Sequence, residues 1–150
     1  MSHDTSSSNT AYGVLLLRVS LGVMFIAHSL ILKYWTFTLA GTAQYFESLG
    51  LPAFLAYVTF FAELIGGILL VLGVQSRWVA LALLPILVGA AWVHVGNGWV
   101  FSAPGGGWEY PLYLIVLSMA QALLGDGAYA LKPSSRLSLL SGPASLKAAA

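Results

Sequence analysis

The sequence predicts an all-α fold, a four-helix transmembrane bundle, and three observations carry that prediction. Hydrophobic residues make up 59% of the 150 positions and charged residues only 7%, against roughly 25% charged in an ordinary globular domain. The apolar residues gather in four long runs, at about 11–32, 52–74, 78–95 and 110–124. Within each run the apolar character goes right round the helix instead of forming one stripe, which is the pattern of a segment bathed in lipid. So little charge cannot keep a soluble enzyme in water, and it is the reverse of a disordered composition. With no cysteine, disulfides, thiol catalysis, iron–sulfur clusters and thiolate zinc sites are all excluded. A net charge of +1 without any run of Lys or Arg excludes a nucleic-acid partner. The partner this composition demands is a lipid bilayer.

Taken in order, residues 1–10 are polar and Ser-rich and predict an N-terminal tail. They lack the basic start and small-residue cleavage site of a secretory signal. Residues 11–131 form the membrane domain. Each apolar run approaches the roughly 20 residues that cross a hydrocarbon core, and such a run must be helical because only a helix satisfies its own backbone hydrogen bonds there. Residues 38–49 read as a short amphipathic outer segment, with Leu39, Phe46 and Leu49 on one side and Gln44, Glu47 and Ser48 on the other. Gly50-Leu51-Pro52 ends it and starts the second helix. Gly73-Val74-Gln75-Ser76-Arg77 is a tight turn that makes helices two and three antiparallel neighbours. Residues 96–108 carry five glycines (Gly96, Gly98, Gly105, Gly106 and Gly107) and read as a flexible lid or turn. With no strand before it and no Lys after it, a phosphate-cradling loop is disfavoured. Residues 132–150 form a polar tail.

Arg77, Lys132, Arg136 and Lys147 fall on one side of this topology and Lys33 alone on the other. The excess of Lys and Arg on cytoplasmic loops places both termini in the cytoplasm. Trp35, Trp92, Trp99 and Trp108 then lie near the outer boundary, where amphipathic rings prefer to sit.

An ionisable group inside a span costs several kcal/mol unless paired or hydrated, so each is a functional candidate. Six qualify: Arg18, His28, Lys33, Glu63, His94 and Glu109. With Lys33 and Pro52 as outer boundaries, Arg18 lies about 22 Å deep and Glu63 about 16 Å deep at the helical rise of about 1.5 Å per residue. A guanidinium can bridge that difference, and Gly22, Gly66 and Gly67 on the same faces let the helices approach. The expectation is a buried Arg18–Glu63 ion pair, serving either to fix register or to handle protons. His28, about 7 Å inside, joins His94 and Glu109 at the outer end among Trp92, Trp108, Tyr110 and Tyr113. Three readings of that cluster stay open. They are interfacial hydrogen bonding, a quinone-headgroup pocket in which His exchanges a proton, and a metal or bis-histidine haem site. No HxxxH or ExxH pair supports the metal reading, and haem is disfavoured. No residue is assigned as catalytic.

From Arg18-Val19-Ser20-Leu21-Gly22 through His28-Ser29 to Lys33, the chain resembles the DoxX family of small bacterial membrane proteins. The likeness continues through Phe46-Glu47-Ser48-Leu49-Gly50-Leu51-Pro52, Glu63-Leu64-Ile65-Gly66-Gly67, Leu72-Gly73 and Arg77. It ends with His94, Asn97-Gly98, Gly106-Gly107-Trp108-Glu109-Tyr110 and Gly125-Asp126-Gly127. The resemblance covers about residues 16–131 and implies a four-helix bundle in the bacterial inner membrane. Named relatives are subunits of quinone-linked oxidoreductases or parts of membrane assemblies that defend against oxidative stress. The family-typical positions are Arg18, His28, Lys33, Glu63, Arg77 and Glu109. Ser29, and Tyr34-Trp35 after Lys33, depart from the family pattern.

Together these features predict a redox-associated membrane subunit that contacts quinone and works with a soluble or membrane oxidoreductase partner. The pocket would be built from His28, Lys33, His94, Trp108, Glu109 and Tyr113. A first alternative is a proton-coupled carrier using Glu63, which with so few helices would be a homo-oligomer. A second is a ligand-free scaffold for soluble redox enzymes.

Overall fold

The computed structural model describes residues 2–135, with side chains from residue 7 onward. All described elements are helical: α1 (Ser2–Ala27), a π-helical continuation (His28–Thr36), α2 (Leu39–Ser48), α3 (Phe54–Leu72), α4 (Ser76–His94), a single 3-10 turn (Val95–Asn97) and α5 (Glu109–Leu124). Three segments are long and apolar enough to cross a membrane: Ser7–Thr36, Phe54–Leu72 and Ser76–Asn97. The fourth apolar run forms α5, whose 16 residues reach about 24 Å at the usual rise.

α1 starts earlier than the sequence suggests. Most of the expected polar tail is helical from Ser2, because residues 2–12 contain neither Gly nor Pro and extending a helix already nucleated by an apolar run costs little. Of the C-terminal tail, residues 132–135 are described and residues 136–150 lie outside the described residues.

At His28 the winding changes from α to π. Its wider turn shows in Phe37 N–H donating to Leu32 O at 2.8 Å, five residues back, and in Thr36 Oγ1 donating to Ile31 O at 2.8 Å. Thr38, at φ 62°, breaks the helix and caps α2 by accepting from Gly41 N–H at 3.1 Å. The inward side of α2 carries buried Thr42 and Ala43 between half-buried Leu39 and Phe46.

Packing is closest between α1 and α3 and between α4 and α5, with narrower seams joining α3 to α4 and α1 to α5. The buried face of α3 repeats at spacings of four and three: Ala56, Phe60, Glu63, Gly67, Leu70. A Cβ on Gly22 would sit 2.7 Å from Gly67 O, and one on Gly67 would sit 2.8 Å from Gly22 O, so these two backbones touch. In lipid, helices gain nothing from hydrophobic association, and close backbone approach is what holds them. The apolar core is Leu21, Phe25, Leu70, Ala80, Leu83, Leu87, Leu114 and Ala122.

Candidate functional site

Polar groups gather at the two ends of the bundle, around Arg77 at one and Lys33 at the other. At the Arg77 end, α3 and α5 both terminate, and each leaves backbone carbonyls without helical partners. An arginine answers each set. Arg18, fully buried, donates from Nη1 to Leu70 O (3.0 Å) and Val71 O (3.2 Å) at the end of α3, and from Nη2 to Ala128 O (2.9 Å). Arg77 donates from Nη1 to Ala122 O (2.7 Å) and Leu123 O (2.8 Å) at the end of α5. Both cations thereby face the negative end of a helix dipole. The glycines beside them are required for space: a Cβ on Gly73 would lie 2.0 Å from Arg18 Nη1, and one on Gly125 2.6 Å from Arg77 Nη2.

Asp126 does the complementary work at the start of α4. It accepts from Ser76 N–H (2.8 Å), Ser134 N–H (2.8 Å) and Ser134 Oγ (3.0 Å). Burial pushes its carboxyl up, but the hydrogen bonds from Ser134 and Ser76 outweigh burial and hold it below the usual carboxylate value. Residues 131–133 are tied alongside the α3–α4 turn, with Lys132 N–H donating to Gly73 O and Gln75 N–H to Lys132 O. Gln121, also fully buried, donates to Gly125 O. Asp126, Ser76, Ser134 and Gln121 had no assigned role in the sequence reading. The available signal was Gly125-Asp126-Gly127 together with Arg77.

Arg18 and Glu63 do not pair. Glu63 accepts from Lys33 Nζ at 2.6 Å, the one side-chain ion pair among the described residues, with Lys33 16% and Glu63 6% exposed. The register of the Gly22–Gly67 contact explains the correction. Arg18 lies one turn from Gly22 toward the Arg77 end, and Glu63 lies one turn from Gly67 the other way, separating them by about 12 Å along the helices. Lys33 instead reaches Glu63 from the π-helical stretch. The placement of Lys33 as a membrane boundary left its four-carbon arm, which can extend inward, out of account.

The outer cluster also divides. His28 Nδ1 lies 3.0 Å from Met24 O, and its ring stacks on Tyr110 with centroids 5.9 Å apart and planes 17° apart. Together they head an open cleft of about 490 Å3 between α1 and α5, floored by Val19, Ser20, Val23, Met24 and Ala27. His94 faces the glycine loop instead. Its Nδ1–H donates to Gly105 O (3.0 Å) and Gly106 O (3.1 Å), and Asn97 Nδ2 donates to the same two carbonyls. Glu109 accepts from Phe101 N–H at 3.2 Å. Trp108 meets Trp99 edge to face at 4.5 Å. Glu109 and Tyr113 line a second groove of about 440 Å3 with Trp99, Phe101 and Tyr110. Thus Tyr110 joins two grooves, Lys33 belongs to the Glu63 pair, and His94 ties down the loop that was read as flexible. Among the described residues no group of three or more His, Asp or Glu side chains is gathered as metal ligation requires.

Long apolar helices, a glycine-mediated helix contact and cationic caps on helix ends define a small helical membrane protein. The DoxX family model matches residues 13–96, more than half the chain, and the chain belongs to that family. It is 39% identical over 121 residues to "Putative oxidoreductase CatD" of Bacillus subtilis (strain 168), covering 81% of this chain and 85% of the relative. No solved structure matches the chain.

Proposed function

We propose that this protein is a quinone-contacting membrane subunit that works with a partner oxidoreductase, with the cleft between α1 and α5 as its ligand site. Its setting would be the bacterial inner membrane, with α5 as a fourth crossing and both termini cytoplasmic, the side favoured by Arg77 and Lys132. The supporting observation is the placement of one imidazole ring, His28, stacked on Tyr110 at the head of an open, mostly apolar cleft. A quinone has that shape: a flat polar head, which hydrogen-bonds and exchanges protons, on an apolar tail that partitions into the bilayer. The oxidoreductase name of the Bacillus relative agrees with a redox setting. The chain has no cysteine to carry a thiol redox step, so electron transfer falls to the partner.

Purification in mild detergent tests this reading. Wild type should retain extractable quinone and carry an oxidoreductase polypeptide with it, and His28→Ala should lose the quinone. Protein that carries no quinone in either form sinks the proposal. A second reading, a proton-coupled carrier working as a homo-oligomer, rests on the buried Glu63 carboxylate. It requires Glu63-dependent flux in quinone-free liposomes, and flux unchanged in Glu63→Gln removes it.

A further inference from the structure

The hydrogen bond at His28 fixes which edge of the ring faces the cleft. The Met24 carbonyl oxygen, 3.0 Å from Nδ1, can only accept, so Nδ1 carries the ring proton. A neutral imidazole has one N–H and one lone pair, which leaves Nε2 as the acceptor. No hydrogen bond to Nε2 forms among the described residues. This is the reverse of the groups usually aimed at a carbonyl ligand.

We propose that the cleft takes the reduced form of its ligand, a quinol, which donates a phenolic O–H to His28 Nε2. The proposal rests on the quinone reading above and adds the redox state of the species that binds. An oxidised quinone offers only carbonyl oxygens to that ring edge, and lone pair then faces lone pair. A quinol offers an O–H where the acceptor stands. Ser20, the other small polar side chain in the cleft, sits eight residues, or about 12 Å, further along α1, beyond the reach of a headgroup held at His28. Val23, Met24 and Ala27 pave the way between them, suiting an apolar tail that runs toward the bilayer centre. Tyr110, stacked on the imidazole, continues a flat wall for the ring.

The test uses the full chain in phosphatidylcholine nanodiscs under anaerobic conditions, titrated with decylubiquinone or with its reduced form, decylubiquinol. The quinol should bind about tenfold more tightly, the worth of one neutral hydrogen bond. His28→Ala should abolish the preference, weakening both forms but the quinol by the larger factor, while Tyr110→Phe keeps the preference. Equal binding of the two forms, or a preference abolished by Tyr110→Phe, overturns the quinol assignment and leaves the quinone reading standing. If neither form binds wild type, both fall. Should His28→Ala fail to fold, nitrogen-15 NMR of the wild-type imidazole decides. A protonated Nδ1 with a bare Nε2 supports the assignment, and a protonated Nε2 overturns it.

Discussion

Removing either member of the Lys33–Glu63 pair should cost far more than removing both. The two groups lie 2.6 Å apart, with Glu63 only 6% exposed and Lys33 16% exposed. Breaking a buried pair by deleting one partner strands the other charge and costs about 3–5 kcal/mol, whereas replacing both by apolar groups of similar size is near neutral. The geometry orders the two single variants. After Glu63→Leu, the flexible Lys33 arm can turn outward to the interface, which places the cost near the lower bound, about 3 kcal/mol. After Lys33→Met, the short Glu63 side chain stays buried on α3, which places the cost near the upper bound, about 5 kcal/mol. The double variant should return to within about 1 kcal/mol of wild type. Unfolding by sodium dodecyl sulfate in dodecyl maltoside micelles, followed through the fluorescence of the five tryptophans, reads all four proteins. A double variant as unstable as the sum of the singles would refute this reasoning. So would a strong coupling of Glu63 to Arg18, measured in a second cycle built from Glu63→Leu and Arg18→Met.

Gly22→Leu should lower the unfolding midpoint by the equivalent of about 1–3 kcal/mol, because even its Cβ would lie 2.7 Å from Gly67 O. An unchanged midpoint in the same titration means that α1 and α3 do not touch there. Gly73→Ala should be worse, since φ is +70° and the added carbon would lie 2.0 Å from Arg18 Nη1. Wild-type yield and thermal midpoint in that variant would contradict the capping role of Arg18. Asp126 is held below its ordinary value of 3.8. Its carboxylate therefore contributes stability that is fully present above that value and is lost as pH falls through the lower folded value. Thermal scans from pH 7 to pH 2 should show an acid-side decline that Asp126→Asn flattens, and identical profiles would rule this out.

How much of this was legible in the sequence follows from what each signal measures. Hydropathy locates helices because the bilayer is a solvent, and the apolar runs at about 11–32, 52–74 and 78–95 appear as helices capable of crossing a membrane. Composition cannot show where winding changes, so the π-helical stretch at His28–Thr36 left no trace in the pattern. Depth arithmetic treated each helix as anchored at its outer residue. The actual register is set by Gly22 against Gly67, and a relative shift of about one turn between the two helices exchanged Arg18 for Lys33 as the partner of Glu63. The role of Arg18 was hidden for a related reason. Its partners are backbone carbonyls of Leu70, Val71 and Ala128, which every residue possesses and no sequence advertises. His94 and Glu109 were placed at one end correctly, yet both spend their hydrogen bonds on the loop backbone.

The uneven distribution of these ties bears on where the seam between α1 and α5 is weakest. Without a hydrophobic drive between helices, a membrane bundle holds together where backbones touch or polar groups bridge. Here the Gly22–Gly67 contact joins α1 to α3, and Arg18, Arg77 and Asp126 join the helix ends at the Arg77 side. Arg18 bonds Ala128, just after α5, and Ala128 N–H bonds Ala11 O, so the seam between α1 and α5 is fastened at that end. At the opposite end the π-helical continuation of α1 meets α5 through the stack of His28 on Tyr110, a ring contact worth about 0.5–1.5 kcal/mol beyond its buried area. Tied by hydrogen bonds at one end and by ring stacking at the other, the seam is weaker at the end where His28 stands.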